Sequence, residues 1–310
     1  MKIDAAERFR VPSGKRVSLR DYDAGWIPSW AEEEKDRKGS KAAKKQALDI
    51  LEGNRRRLAK MQELLWASDT YSVLIVLQGV DAAGKDGVIG HVMAGVNPQG
   101  CQVTGFKTPC EEELGHDFLW RYEKALPERG RIGIFNRSYY EDVLIVKVRP
   151  EVLETQKLPA GPRDASFWKQ RYDDINAFEH HLVSNGTMIL KFFLHVSKEK
   201  QRQRLLKRLG DPSRYWKFSY SDLSERSRWN EYAKAYEEVL NETSTEWAPW
   251  YIIPADKKWV TRAAVSEILA AQIDGLKLKY PVLNKQQAIA FKKARAELEI
   301  GVEEDNQTKK

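Results

Sequence analysis

Cysteine is nearly missing from this chain: Cys101 and Cys110 are the only two among 310 residues. They form neither a disulfide framework nor a metal-ligand spacing, so both are read as reduced thiols. Histidine is equally scarce, with five in all. His180 and His181 are adjacent on an expected helix and point in different directions, which argues against a shared metal. Long apolar runs are also lacking, since no stretch approaches the roughly 20 residues of a spanning helix. The opening residues, Met1 to Arg8, lack the apolar core of a signal peptide, so the expected location is the cytoplasm.

What is present is ordinary for a globular protein. Hydrophobic residues make up 42% and charged residues 31%, which excludes the disordered and membrane classes. The length allows one large α/β domain with helical additions. A surplus of 52 Lys+Arg over 45 Asp+Glu, net +7, favours anionic partners.

Five short β-branched or apolar runs, at residues 71–78, 102–106, 131–135, 187–196 and 249–253, are separated by helical stretches. That alternation predicts a parallel sheet. The first and fourth runs are nearly continuous in apolar character and are read as central strands covered on both faces. Residues 111–126, 166–184 and 222–240 show apolar positions at three- and four-residue spacing and read as amphipathic helices. Residues 41–66 read the same way, with Ala47, Leu51, Leu58, Met61 and Leu65 on one face. Residues 1–40 and the last fifteen read as extended or frayed ends. Ten tryptophans occur; Trp120, Trp168, Trp229 and Trp259 fall within amphipathic helices and are assigned to packing.

The sharpest motif is Gly79 to Lys85, which fits G-x-x-x-x-G-K after an expected strand and before an expected helix over 86–96. In that context it reads as a phosphate-binding loop comprising Gly79, Ala82, Ala83, Gly84, Lys85, Asp86 and Gly87. Its backbone must curl so that N–H groups face the anion, while Lys85 neutralises oxygen charge and the helix N-terminus adds its dipole. Two positions depart from the common nucleotide-hydrolase pattern. Asp86 follows Lys85 where a magnesium-binding Ser or Thr usually stands. Asp81 lies inside the loop, where a carboxylate repels phosphate unless a divalent cation stands between them, so Asp81 is read as a metal ligand. For Asp86, a carboxylate favourable to the helix dipole is at least as good a reading.

The third strand runs into Asn136-Arg137-Ser138-Tyr139-Tyr140-Glu141-Asp142. Asn136 occupies the expected place of a second acidic ligand, and Glu141 or Asp142 is positioned to restore the missing charge. Arg137 is placed against the transferring phosphoryl group. Further on, residues 197–209 read as a helix ended by Gly210 and Pro212. Lys200, Arg204, Lys207 and Arg208 share one of its faces. Followed by Arg214 and Lys217, this segment reads as a lid over about 200–222 that closes on phosphates. Lys107 and Arg121 are weaker candidates for nucleotide contacts, with structural ion pairs an equal reading.

These segments together resemble the polyphosphate kinase 2 family: the loop with Asp81, the Phe135 to Asp142 segment, and Asp211-Pro212-Ser213-Arg214-Tyr215-Trp216-Lys217-Phe218. The resemblance runs from about residue 41 to 280. It implies a thymidylate-kinase-like P-loop fold, three-layer α/β/α with a five-stranded parallel sheet and a helical lid. It also implies transfer of the terminal phosphate of inorganic polyphosphate to a nucleotide, with Mg2+ (Mn2+ as an alternative). The family pattern carries over to Asp81, Lys85, Arg137, Arg204 and Arg208. Many members have Asp where this chain has Asn136. Asn136 with Glu141, and the stretch Glu242 to Tyr251, resemble the class III subgroup, which phosphorylates both AMP and ADP. The expected partners are polyphosphate and adenine nucleotides, not nucleic acid or membrane, and the chain is expected to form a homo-oligomer. The expected organisation is an extension over 1–40, a kinase domain over 41–285 and a charged tail over 286–310. An ATP-dependent nucleoside monophosphate kinase and a non-catalytic nucleotide- or polyanion-binding module are the competing readings.

Overall fold

The computed structural model describes residues 3–32 and 39–307; residues 33–38 of the expected N-terminal extension lie outside them. Among the described residues there are five strands: β1 Ser72–Gln78, β2 Cys101–Gly105, β3 Ile132–Asn136, β4 Thr187–His195 and β5 Trp250–Pro254. They form one parallel sheet in the order β2-β3-β1-β4-β5. Each expected strand exists, with ends moved by one residue at most. The two strands read as central are central or next to centre, and β1 is buried along its whole length.

Alternation along the strands divides the interior into two layers. Val73, Ile75 and Leu77 of β1 face one cluster, with Leu190, Phe192 and Leu194 of β4. Helices α1 (Gly39–Ser68), α2 (Lys85–Val92) and, further along the chain, a long helix Lys258–Asp274 cover that face. Leu74 and Val76 face the other cluster, with Ile189 and Phe193 of β4. It is covered by α3 (Ala165–Ser184) and by a helix Trp229–Thr243. The expected face of α1 is the buried one, through Ala47, Leu51, Leu58, Met61 and Leu65. The α/β/α architecture therefore stands as expected.

Between β4 and β5 the chain forms α4 (Lys198–Leu209), a 3-10 turn Pro212–Lys217, α5 (Ser221–Ser227) and α6, the helix Trp229–Thr243. The helix expected over 222–240 is interrupted at Arg228, between α5 and α6. The helix expected over 111–126 is also broken, into Glu111–Leu114 and Trp120–Glu123. Gly115 ends the first piece and Asp117 accepts from the Leu119 amide before the second, so local caps outcompete a continuous helix. After β5 comes α7, the helix Lys258–Asp274.

The N-terminal stretch differs from the extended end expected. Ile3, Ala5, Phe9 and Val11 are buried, and Arg10 forms an antiparallel bridge with Tyr251. The amides of Ile3 and Ala5 donate to Glu267 of α7, so the segment is sealed onto the sheet edge by hydrogen bonds as well as apolar contact. Residues 279–310 form a unit of their own, containing helix α8 (Lys285–Gln307). Asn284 and Gln287 exchange side-chain-to-backbone hydrogen bonds that cap its start, so the described part of the charged tail, to Gln307, is helical rather than frayed.

Candidate active site

Helix-containing crossovers place the ends of β1 and β3 side by side, although β2 lies between them in sequence. The chain leaves these strands towards opposite edges of the sheet, which opens a crevice at their C-terminal ends. The glycine loop leaves β1 there, and Arg137 follows β3 with its backbone amide bonded to Leu77.

The loop geometry depends on positive φ at Gly79 (153°), Ala82 (62°) and Gly84 (114°). A Cβ on Gly79 would stand 3.1 Å from both the Ala83 Cβ and the Leu194 carbonyl oxygen, so the turn has no room for a side chain. Ala82 and Ala83 are buried, and Gly84 caps α2. Arg204 from α4 donates to the Ala82 and Ala83 carbonyl oxygens at 2.9 and 2.7 Å, and Gln201 donates to the Asp81 carbonyl at 3.0 Å. The loop's outward carbonyls are thus tied down by α4.

Lys85 is buried and its ammonium donates to the carbonyl oxygens of Gly79 and Val80. Burial, and then the nearby Arg137 charge, push its pKa down to about 8 despite Asp81, Glu141 and Asp86. Asp81 and Glu141 both face Arg137. Arg137 Nη2 lies 2.6 Å from Asp81 Oδ1, and Nη1 lies 3.7 Å from Glu141 Oε2. Glu141, against burial and together with Asp81, holds the Arg137 guanidinium above its ordinary range. Arg137 has φ 66°, a left-handed backbone that costs a non-glycine residue about 1–2 kcal/mol. Gln78, with its amide oriented to satisfy both ends, donates to Glu141 Oε1 at 2.9 Å and accepts from Ser138 Oγ at 3.1 Å.

Asn136 and Asp86 meet beside this centre. The Asn136 amide donates to Asp86 Oδ1 at 3.0 Å, and Lys217 from the lid donates to Asp86 Oδ2 at 3.0 Å. Although burial opposes it, these two hydrogen bonds hold the Asp86 carboxyl below its usual range. Asp86 therefore joins the third strand to the lid. Asp142 is turned away from the crevice: it is buried and accepts from Tyr122 and Gln156, and burial raises its pKa to about 6. Of the two carboxylates considered for the missing charge, Glu141 reaches the crevice and Asp142 is built into the core.

The lid cations separate into two groups. Arg204 and Arg208 turn inward, Arg208 onto the Lys217 carbonyl and Asp222. Lys200 donates to Gln203 on the lid helix itself, and Lys207 is exposed. Arg121 takes the ion-pair reading, bonded to Glu113 at 3.1 Å and to the Lys107 carbonyl at 2.9 Å, with its guanidinium over the Phe106 and Tyr122 rings. The Lys107 side chain is exposed. Gly87 lies on α2 beside Arg262, whose guanidinium is 3.6 Å from where a Cβ would stand.

One cleft gathers much of this: Gly79, Val80, Asp81, Arg137 and Glu141 on one side, with Ile145, Gln201, Trp229, Tyr232 and Tyr236 closing it. Gln201 and the three aromatic residues have no place in the motif reading. Trp229, Tyr232 and Tyr236 do recur at three- and four-residue spacing, but a stripe of that kind reads as core in sequence. Trp168, Trp229 and Trp259 are indeed partly buried against the two layers, yet Trp229 also lines the cleft.

Residues 39–281 match the family described as polyphosphate kinase 2. The chain belongs to the polyphosphate kinase 2 family. It is 48% identical over 282 residues to an ADP-polyphosphate phosphotransferase of Rhodopseudomonas palustris, covering 91% of this chain and 93% of that one. It is 44% identical over 275 residues to an AMP/ADP-polyphosphate phosphotransferase of Meiothermus ruber, covering 89% and 95%. The crystal structure of polyphosphate kinase 2 from Arthrobacter aurescens superposes with a TM-score of 0.78 at 39% identity, covering 93% of this chain and 96% of that one. In this polyphosphate kinase 2 chain no described helix is long and apolar enough to cross a membrane.

Proposed function

We propose that this chain transfers the terminal phosphoryl group of inorganic polyphosphate to AMP and ADP, reversibly. The observation that carries the proposal is the convergence of Asp81, Arg137 and Glu141 at the mouth of a glycine loop holding a buried lysine. The resemblance to phosphotransferases acting on ADP or on AMP and ADP gives that centre its substrates.

An oxygen of the acceptor's terminal phosphate attacks the end phosphorus of the chain in line. The bridging P–O bond to the next phosphorus breaks, and its electron pair leaves with the shortened polyphosphate. A phosphate acceptor is already ionised, so it needs positioning and charge neutralisation more than a general base. Lys85 and the loop amides hold the donor's end, and Arg137 meets the charge spread over the transferring oxygens.

Among the described residues no group of three or more His, Cys, Asp or Glu forms a metal cage. Magnesium fits the two carboxylates nonetheless, because it is commonly held by one or two carboxylates, waters and substrate phosphates. Asp81 and Glu141 are its proposed ligands, each within reach of the same guanidinium. When bound, the ion neutralises phosphate oxygens that Asp81 would otherwise repel. Family resemblance further supports a homo-oligomer, which sedimentation velocity reads directly.

Incubation with magnesium, polyphosphate and AMP, ADP, GMP or GDP in turn, followed by nucleotide separation, tests the activity. ADP formed from AMP and ATP formed from ADP are expected. Failure with all four acceptors, or absolute dependence on ATP as donor, overturns the proposal. Success with ADP alone rejects the AMP half.

A further inference from the structure

Charge along helix α8 falls into two blocks. Residues 285–295 hold Lys285, Lys292, Lys293 and Arg295 and no acid, whereas residues 296–305 hold Glu297, Glu299, Glu303, Glu304 and Asp305 and no cation. A helix standing alone favours the opposite order, because its N-terminus carries partial positive charge and its C-terminus partial negative charge. Two ion pairs join the blocks within the helix, Arg295 to Glu299 at 2.7 Å and Lys293 to Glu297 at 3.9 Å. Both are exposed, and both put the cation on the N-terminal side, the weaker of the two orientations. Local charge therefore does not account for this helix.

Burial does not account for it either. Helices in proteins draw most of their stability from an apolar face pressed against something else. From Lys285 to Glu299 every side chain except Ala288 is exposed, and Ile289, Phe291 and Leu298 leave 69%, 62% and 74% of their surface open. Phe291, Ala294 and Leu298 fall on one side at three- and four-residue spacing, a seam of the kind that pairs helices. Residues 39–281 are those that match the family, so the seam lies outside the part of the chain that carries the transfer centre.

We propose that α8 is a self-association arm that pairs antiparallel with α8 of a second copy. The charge order selects this occupant. Antiparallel pairing lays each basic block beside the other's acidic block and opposes the two dipoles, whereas parallel pairing sets like charges together. The seam sets the register. With the two-fold axis passing beside Ala294, small enough to let the backbones approach, Phe291 of each helix packs on Leu298 of the other. Lys285, Lys292 and Glu299 recur every seven residues and so share one flank of the seam. In that register Lys292 of each helix comes level with Glu299 of the other to within about one turn, and Lys285 comes level with the acidic run at 303–305. One alignment thus serves both the apolar and the charged positions.

The arm rests on the homo-oligomer proposed above, and sedimentation velocity of the full chain separates the two. The wild type should sediment as an oligomer, and Phe291→Asp with Leu298→Asp should weaken association at least about a hundred-fold. Both side chains are exposed, so the unfolding midpoint of that variant should match the wild type. Lys285→Glu with Lys292→Glu sets acid against acid and should also dissociate the copies. Adding Glu299→Lys, Glu303→Lys and Glu304→Lys to the same chain reverses both blocks and should restore association. A wild type that is monomeric at micromolar concentration overturns the homo-oligomer and the arm together. An oligomer that persists unchanged in Phe291→Asp with Leu298→Asp, as it would were α8 laid on its own chain, overturns the arm alone. Dissociation that the compensating charges fail to reverse overturns the antiparallel pairing.

Discussion

Arg137 Nη2 lies 2.6 Å from Asp81 Oδ1, while the same guanidinium reaches Glu141 on its other side. The group proposed to stabilise the transferring phosphoryl thus sits on both carboxylates proposed to hold a metal. On that proposal, arginine and a divalent cation would compete for the same negative charge in the free protein, and a bound phosphate chain would relieve the competition by giving the guanidinium a new partner.

Arg137→Gln should therefore separate metal affinity from turnover. Mn2+ titrated without substrate, followed by electron paramagnetic resonance, should bind more tightly than to wild type. The turnover number should fall about 10²–10³-fold, the cost of losing one charge-stabilising donor. Weaker Mn2+ binding in the variant would show that the guanidinium does not compete.

Lys85 predicts two pH responses of opposite sign. Its pKa of about 8 lies below the ordinary 10.5. In the free enzyme the ammonium loses its proton as pH rises through about 8, so kcat/KM for polyphosphate should fall above that point. Stability should move the other way. Because the folded-state pKa is depressed, the unfolded chain binds more protons between about 8 and 10.5, and this group's contribution to stability rises with pH across that window. A pH profile of kcat/KM beside urea titrations distinguishes loss of charge from unfolding. Lys85→Ala should abolish transfer with the fold retained.

Lys191 and Glu179 form a fully buried pair, 2.6 Å apart, with Tyr139 and Tyr140 also bonded to Glu179. Lys191→Met should cost about 3–5 kcal/mol by leaving the carboxylate unpaired in the core. Adding Glu179→Gln should recover a substantial part. Urea unfolding midpoints read both, and a single-variant loss under about 1 kcal/mol would reject a charged pair.

The Asp86–Lys217 contact, 3.0 Å and half open to solvent, should add little to stability. A double-mutant cycle with Asp86→Ala and Lys217→Ala should give a coupling of about 0.2–1 kcal/mol. The effect on polyphosphate KM should be larger than on unfolding, since the pair joins the lid to the phosphate loop. Equal small effects on both would leave the lid contact without a functional role.

Salt distinguishes the two substrates. Counterion release makes affinity for a long polyanion fall steeply with ionic strength, and much less for AMP. KM for polyphosphate measured from low to moderate KCl should therefore rise with a steeper logarithmic slope than KM for AMP. Equal slopes would place both ligands in the same electrostatic environment.

Much of this protein was legible in one dimension. The strands β1 and β4 announce themselves because burial on both faces demands unbroken apolar runs, and the loop from Gly79 to Lys85 because a backbone wrapped around an anion tolerates few side chains. The grouping of Asp81, Lys85, Arg137 and Glu141 was readable because each lies a few residues beyond the C-terminal end of β1 or β3, strands that pair side by side. Local capping, by contrast, decided where residues 111–126 break, and hydrogen bonds to Glu267 decided that the N-terminal stretch is packed rather than extended.

Tertiary structure alone decided what the shared chemistry of arginine, aspartate and tryptophan is used for. In sequence Arg204 reads as a lid cation and Arg121 as either a nucleotide contact or an ion pair, and only the fold shows that loop carbonyls claim the first and Glu113 the second. Trp229 lies on a helical stripe indistinguishable from core, yet the crevice between β1 and β3 leaves it facing Asp81 and Arg137. Sequence determines which residue types can hold phosphate, because charge and backbone freedom are properties of the residue. Which of them remain available depends on which partners the fold brings within hydrogen-bond reach.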